Sequence, residues 1–200
     1  MGIAARWLLA VGMVLVVSPL LAVQAAEGDE MVANPLYKYW ANHKPGSTVT
    51  LLEKNVLAGP EKEQFPDGID EKVVTTKLLK VTPDNVVVEV TVTERDFLKT
   101  VESAPTKTTY PAKVKKSHLQ AGLHGVDPKI GKDTLTLVGK KFDCTTLSGT
   151  EKKEGVEVVH EIWVSEQVPG GIVKHTRVTK QDGKLVADTT ITLQSYKNAE

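Results

Sequence analysis

A single cysteine, Cys144, in 200 residues excludes an internal disulfide, so the stability of this chain rests on packing alone. Aromatic residues are scarce as well, at 5%, and the core must therefore be built mainly from aliphatic side chains. The formal net charge is zero, and a near-neutral chain carries no electrostatic footprint for nucleic acid or for an anionic membrane surface. Motifs of chemistry are also missing. No G-x-S-x-G elbow surrounds Ser165 or Ser195. The glycines fall at turns, whereas a phosphate loop needs them between a strand and a helix. No pair of carboxylates has a spacing that sets up acid/base work. These absences give no positive argument for an enzyme and imply no cofactor.

What is present starts with Arg6, the apolar run WLLAVGMVLVVSPLLAV and the small-residue segment AVQAA. A short charged region, an apolar stretch and an A-x-A-like site describe a secretory signal peptide over residues 1–26, cut after Ala25 or Ala26. An uncleaved anchor is the alternative, since the run approaches the length of a span; the cleavage site favours removal. The expectation is an exported protein, periplasmic or extracellular, with no stable membrane anchor after cleavage. Residues 27–200 then suffice for one domain with a real core.

Val and Thr are abundant, which is the composition of sheet. Val86, Val88, Val90 and Val92 alternate with Val87, Glu89, Thr91 and Thr93, a period of two that marks a strand. Further strands are expected at Ser47–Val56, Glu71–Val81, Leu135–Val138 and Lys141–Leu147, with a charged turn at Gly149–Gly155. Thr100–Val114 is strand-like, but Pro105 and Pro111 confine it to an edge or to bulges. Ala58–Asp70 and Lys115–Asp133 read as loops, and Glu27–Ala33 as a frayed polar lead. One short helix is expected where Asn34 caps and Pro35 opens it. Leu36 and Trp40, four apart, share its inner face, and the helix plugs an open end of the sheet.

The most informative stretch is VEVVHEIWVSEQVPGGIVKHTRV, Val156 to Val178. A three-residue hairpin loop, Pro169-Gly170-Gly171, sets Ile172, Thr176 and Val178 on the face of Val158, Ile162 and Val164, whereas a two-residue loop would set His175, Arg177 and Thr179 there. Side-chain period fixes register, and the apolar pattern selects the first. A two-residue turn at Asp182-Gly183 adds Leu185, Ala187, Ile191 and Leu193 to that apolar face. The opposite, wet face then carries Glu157, Glu161, Trp163, His175, Arg177, Asp188 and Gln194.

Few residues stand out as functional. Cys144 in KKFDCTT reads as a small buried hydrophobe rather than a nucleophile. His118, His124 and Asp127 match no strong metal pattern, and no metal is implied. His160 falls on the apolar face. Trp163 lies opposite Arg177, where a cation–π contact is available, and is covered by the helix or another strand. Trp163, His175 and Arg177 are the candidate ligand- or partner-binding residues.

The segments YWANHKPGSTVT, KKFDC and IWVSEQVPGGIVKHT resemble a family of exported bacterial β-sheet proteins with no assigned activity. The late PGG hairpin and the strand count are also similar to periplasmic half-barrel carriers of lipoproteins or lipids. That likeness implies a curved antiparallel sheet around an apolar cavity. The fold expected is all-β and mainly antiparallel, a half-barrel or open barrel with one short N-terminal helix. The expected function is non-enzymatic binding of an apolar ligand or lipid. An envelope assembly module that binds protein partners by strand addition along the proline-marked edge is the second candidate, and a secreted hydrolase with a loop-assembled site is the third.

Overall fold

The computed structural model describes residues 30–58, 69–96, 99–116, 118 and 128–200. The segment expected to be a signal peptide lies outside these residues, as do most of the two expected loops.

Every strand expected from period-two patterning forms, and several run further than the pattern suggested. In chain order they are β1 (Met31–Ala33), β2 (Thr48–Leu57), β3 (Ile69–Val81), β4 (Asn85–Asp96), β5 (Lys99–Glu102), β6 (Thr106–Pro111), β7 (Lys113–Lys115), β8 (Lys129–Leu137), β9 (Lys140–Lys153), β10 (Val156–Val164), β11 (Ile172–Gln181) and β12 (Lys184–Lys197). Helix α1 (Pro35–Ala41) precedes β2. Asn34 caps α1 through its side chain, which accepts from the Leu36 amide at 3.1 Å, with Pro35 in the first turn.

Ten strands form one antiparallel sheet in the order β5-β4-β3-β2-β12-β11-β10-β9-β8, with β6 pairing β4 beside β5. The sheet is curved and does not close into a barrel. It consists of two meanders, β2 to β6 and β8 to β12, joined by a single ladder between β2 and β12. Tight turns shape the second meander. Asp182-Gly183 forms the expected two-residue turn between Gln181 and Lys184, with φ of 49° and 78°; such turns match the twist of the strands they join.

Five expectations need correction. The segment Met31–Ala33 is not frayed, because it pairs with Lys113–Lys115 as a small second sheet. The charged turn is shorter than Gly149–Gly155: β9 runs on to Lys153 and only Glu154-Gly155 turns. Strand β8 starts at Lys129, inside the supposed loop. The hairpin between β10 and β11 has no three-residue loop. Val164 pairs with Ile172, which leaves Ser165–Gly171 as the loop, and a register shift follows at Val173. A bulge turns the remaining strand over. His175, Arg177 and Thr179 therefore share the face of Ile162, His160 and Val158, while Val178 faces the other way opposite Val159. Leu185, beyond a second bulge, is 48% exposed and leaves the apolar face too.

Helix α1 lies across one end of the sheet, as expected. Tyr37 Oη donates to the Thr82 carbonyl at 2.9 Å, and Asn34 Nδ2 donates to that of Pro111 at 2.8 Å. Trp40 is 4% exposed and joins the core of Val49, Leu78, Val86, Val88 and Leu193. Its ring packs on Gly170, and Tyr39 packs on Gly171. Both glycines are left-handed, with φ of 79° and 82°, and a Cβ at either would sit within 3 Å of ring atoms.

Gly171→Ala is expected to lower stability by about 1–3 kcal/mol, through strain plus displacement of Tyr39. Gly183→Ala, also left-handed but with nothing within 4 Å, is expected to cost only about 1 kcal/mol. Urea unfolding of both variants checks the difference.

Candidate functional site

Backbone register assembles the helix-covered face as rows that run across the strands. Nearest the helix the rows are apolar: Leu193–Leu51–Val74–Val92 and Tyr196–Val49–Thr76–Val90. Further along, the chemistry changes. One row reads Ile162–His175–Ile191–Glu53–Lys72–Glu94, and the next His160–Arg177–Thr189–Asn55–Asp70. The face thus grades from hydrocarbon under α1 to charge at the opposite end.

Where the two regimes meet there is a cavity of about 110 Å³, lined by Leu36, Trp40, Leu51, Val74, Ile172 and Ile191 among others, and by Glu53 at its polar limit. The expected shared face of Leu36 and Trp40 is the roof of this cavity. Leu51, Val74, Val90, Ile162, Ile172 and Ile191 are each only half-buried, so the short helix does not seal the apolar rows.

The charged rows are partly connected. Arg177 Nη2 donates to Thr189 Oγ1 at 3.3 Å, and the Thr189 hydroxyl, in a residue 3% exposed, donates in turn to Asn55 Oδ1 at 3.0 Å. Lys72 pairs with Glu94 at 3.6 Å. His160 Nδ1 and His175 Nε2 lie 3.3 Å apart, with the rings stacked at 26°. Burial raises the Glu53 carboxyl above its ordinary pKa, opposed by Lys72 and Arg177. Burial also raises Asp70, opposed by Lys72.

Of the three candidate binding residues, the structure brings His175 and Arg177 together and separates Trp163 from them. Trp163 projects from the opposite face beside Cys144, 8% exposed. The ring is covered, as expected, but its cation is Lys174, with Nζ 4.9 Å from the centroid, and not Arg177. Its indole N–H donates to Asp133 Oδ2 at 2.9 Å, which together with the Thr134 amide holds Asp133 below the usual carboxylate range. His175 and Arg177 are likewise not on the wet face, because the bulge at Val173 reverses them. His160 does lie on the apolar side. His124 and Asp127 fall outside the described residues, and His118 is exposed.

Glu53, Asn55, Asp70, Lys72 and Thr189 escaped the sequence reading. The alternation Val49, Leu51, Glu53, Asn55 was the available signal, since it shows one face changing from apolar to polar along β2.

A larger open depression of about 440 Å³ lies between the turns at Glu154-Gly155 and Asp182-Gly183. Lys152 and Lys180 on its rim both pair with Glu157, at 2.7 and 3.8 Å. Exposed ion pairs of this kind satisfy each other and enclose nothing, so the cavity under the helix is the better candidate.

No family model, curated protein or solved structure matches this chain.

Two outcomes are expected here. Cys144 is 4% exposed, and burial raises its thiol pKa, so it should resist a thiol reagent until denaturant is added. Glu53→Gln should raise the melting temperature at neutral pH. A carboxyl whose folded pKa is raised disfavours folding once it ionises, so the gain should fade as pH falls below the unfolded carboxyl pKa.

Proposed function

We propose that this protein is an exported, non-enzymatic binding protein that holds an apolar ligand against the helix-covered face of its sheet. The observation that carries this reading is the unsealed apolar band: Leu51, Val74, Ile162, Ile172 and Ile191, half-buried in a curved sheet with a cavity beneath a helix of seven residues. Partial cover leaves hydrocarbon in contact with water, and a ligand that fills the gap recovers the lost burial at roughly 25 cal/mol per Å². Binding sites typically measure about 300–1,000 Å³, and the present cavity, at about 110 Å³, is well below that, so only part of a ligand enters it and the rest lies along the open face.

A second reading, an assembly module that adds a partner strand, is supported by β8. The proline-marked edge is blunted: Ser103-Ala104-Pro105 interrupts it between β5 and β6, and the Ser103 hydroxyl accepts from the Val92 amide at 3.0 Å. Among the described residues strand β8 forms the other edge, over nine residues with no proline, and Ile130 on it is 73% exposed. Such an edge accepts a strand readily.

Native mass spectrometry of the gently purified protein, followed by solvent extraction, separates these readings. A co-purifying small molecule that extracts into organic solvent supports apolar binding. A bare chain mass overturns tight binding, and a protein adduct lost on introducing a proline into β8 supports strand addition.

A further inference from the structure

The charged rows that border the cavity say something about the head of the ligand, granted that the face binds an apolar molecule at all. Charge is segregated across them. Arg177, His160 and His175 occupy β10 and β11, while Glu53, Asp70 and Glu94 occupy β2, β3 and β4 with Lys72 among them, paired with Glu94 and acting on Glu53 and Asp70 as well, so three carboxyls there face one cation. Among the described residues no carboxylate lies within 4.0 Å of Arg177. Its one side-chain hydrogen bond to a described residue goes to Thr189, which leaves most of a five-donor guanidinium to meet an anion in two-pronged fashion. Strand β12 alone separates β11 from β2, so the basic and acidic sides stand about 10 Å apart, two strand spacings, before the side chains reach toward each other.

We infer that the ligand is a single-chain amphiphile with a zwitterionic head: its tail enters the cavity under Trp40, its anionic group meets Arg177 and His175, and its amine meets Glu53 and Asp70. The cavity volume of about 110 Å³ argues for one chain, because two would need a site of ordinary ligand size. The direction is set by the lining: the cavity ends at Glu53 and Ile191, and the next same-face residues along those strands, Asn55 and Thr189, belong to the charged row. A head that was anionic only would satisfy Arg177 and leave its charge facing Glu53 and Asp70.

The test is displacement of the neutral dye N-phenyl-1-naphthylamine by lysophosphatidylethanolamine and by lysophosphatidylglycerol of the same chain length, both kept below micelle formation. Phosphoethanolamine, the head without a tail, is the third competitor. Lysophosphatidylethanolamine is expected to compete about tenfold better than lysophosphatidylglycerol, and Arg177→Gln to weaken it by about tenfold, the scale of one charge-assisted hydrogen bond. Glu53→Gln is expected to remove the preference between the two lipids and keeps the test open if Arg177→Gln fails to fold, as judged by its thermal melt. Equal competition by both lipids, unchanged by either substitution, would overturn the head assignment while leaving apolar binding intact. Competition by phosphoethanolamine alone would overturn the amphiphile. Failure of dye and lipids to bind at all would overturn the apolar reading beneath it.

Discussion

The contact on which the rest of the molecule depends is that between two aromatic rings of α1 and two glycines of the β10–β11 loop. The two meanders share only the β2–β12 ladder, and a sheet this wide has no barrel closure to fix its curvature. Tyr39 and Trp40 come from the segment before β2, whereas Gly170 and Gly171 belong to the far meander. Their packing ties one half of the sheet to the other across its open side. Only glycine permits it twice over, since the backbone there is left-handed and the rings sit where a Cβ would be. The exposed ion pair of Lys38 with Glu166, at 2.8 Å, spans the same junction but contributes little beside the buried Trp40 and half-buried Tyr39 rings.

The same loop determines which residues reach the face beneath the helix. To bring Gly170 and Gly171 against α1 the chain leaves β10 at Val164 and re-enters at Ile172, and the bulge at Val173 then rotates the whole of β11. Had the strand continued without that bulge, Val178 would look toward the cavity side and Arg177 away from it. One extra residue in the ladder thus sets His175 and Arg177 on the cavity side in place of Thr176 and Val178. Docking of the helix and placement of the charges are outcomes of one local irregularity.

This explains what was legible in the sequence and what was not. Period-two alternation at Val86 to Val92, the cap-and-proline start of α1 and the Asp182-Gly183 turn are local signals, and each was read correctly because nothing distant contradicts it. The prolines at 105 and 111 correctly marked an edge. The register of β11 was misread because the alternation was followed through an ideal hairpin. The decisive information, that the Ser165–Gly171 loop must fold onto an aromatic helix more than a hundred residues earlier, is tertiary. Trp163 is covered, as read, but the same misread register placed it beside Arg177 where Lys174 stands. The charged rows were invisible because they assemble from six strands, each contributing one or two ordinary polar residues.

A fold selected for stability alone would not keep those rows. Burial lifts both Glu53 and Asp70 above their ordinary pKa values, so the folded state disfavours their ionised forms. Along the same strands, toward the helix, the sheet places Leu51 and Val74 in equivalent positions and gains burial from them. Valine or leucine at the charged positions would extend the core at no cost in strand propensity. The sheet instead places half-buried charge of both signs next to an incompletely filled apolar cavity. That combination leaves both hydrocarbon and charge only partly satisfied by the protein itself, and a molecule with an apolar chain and a charged head satisfies the two together.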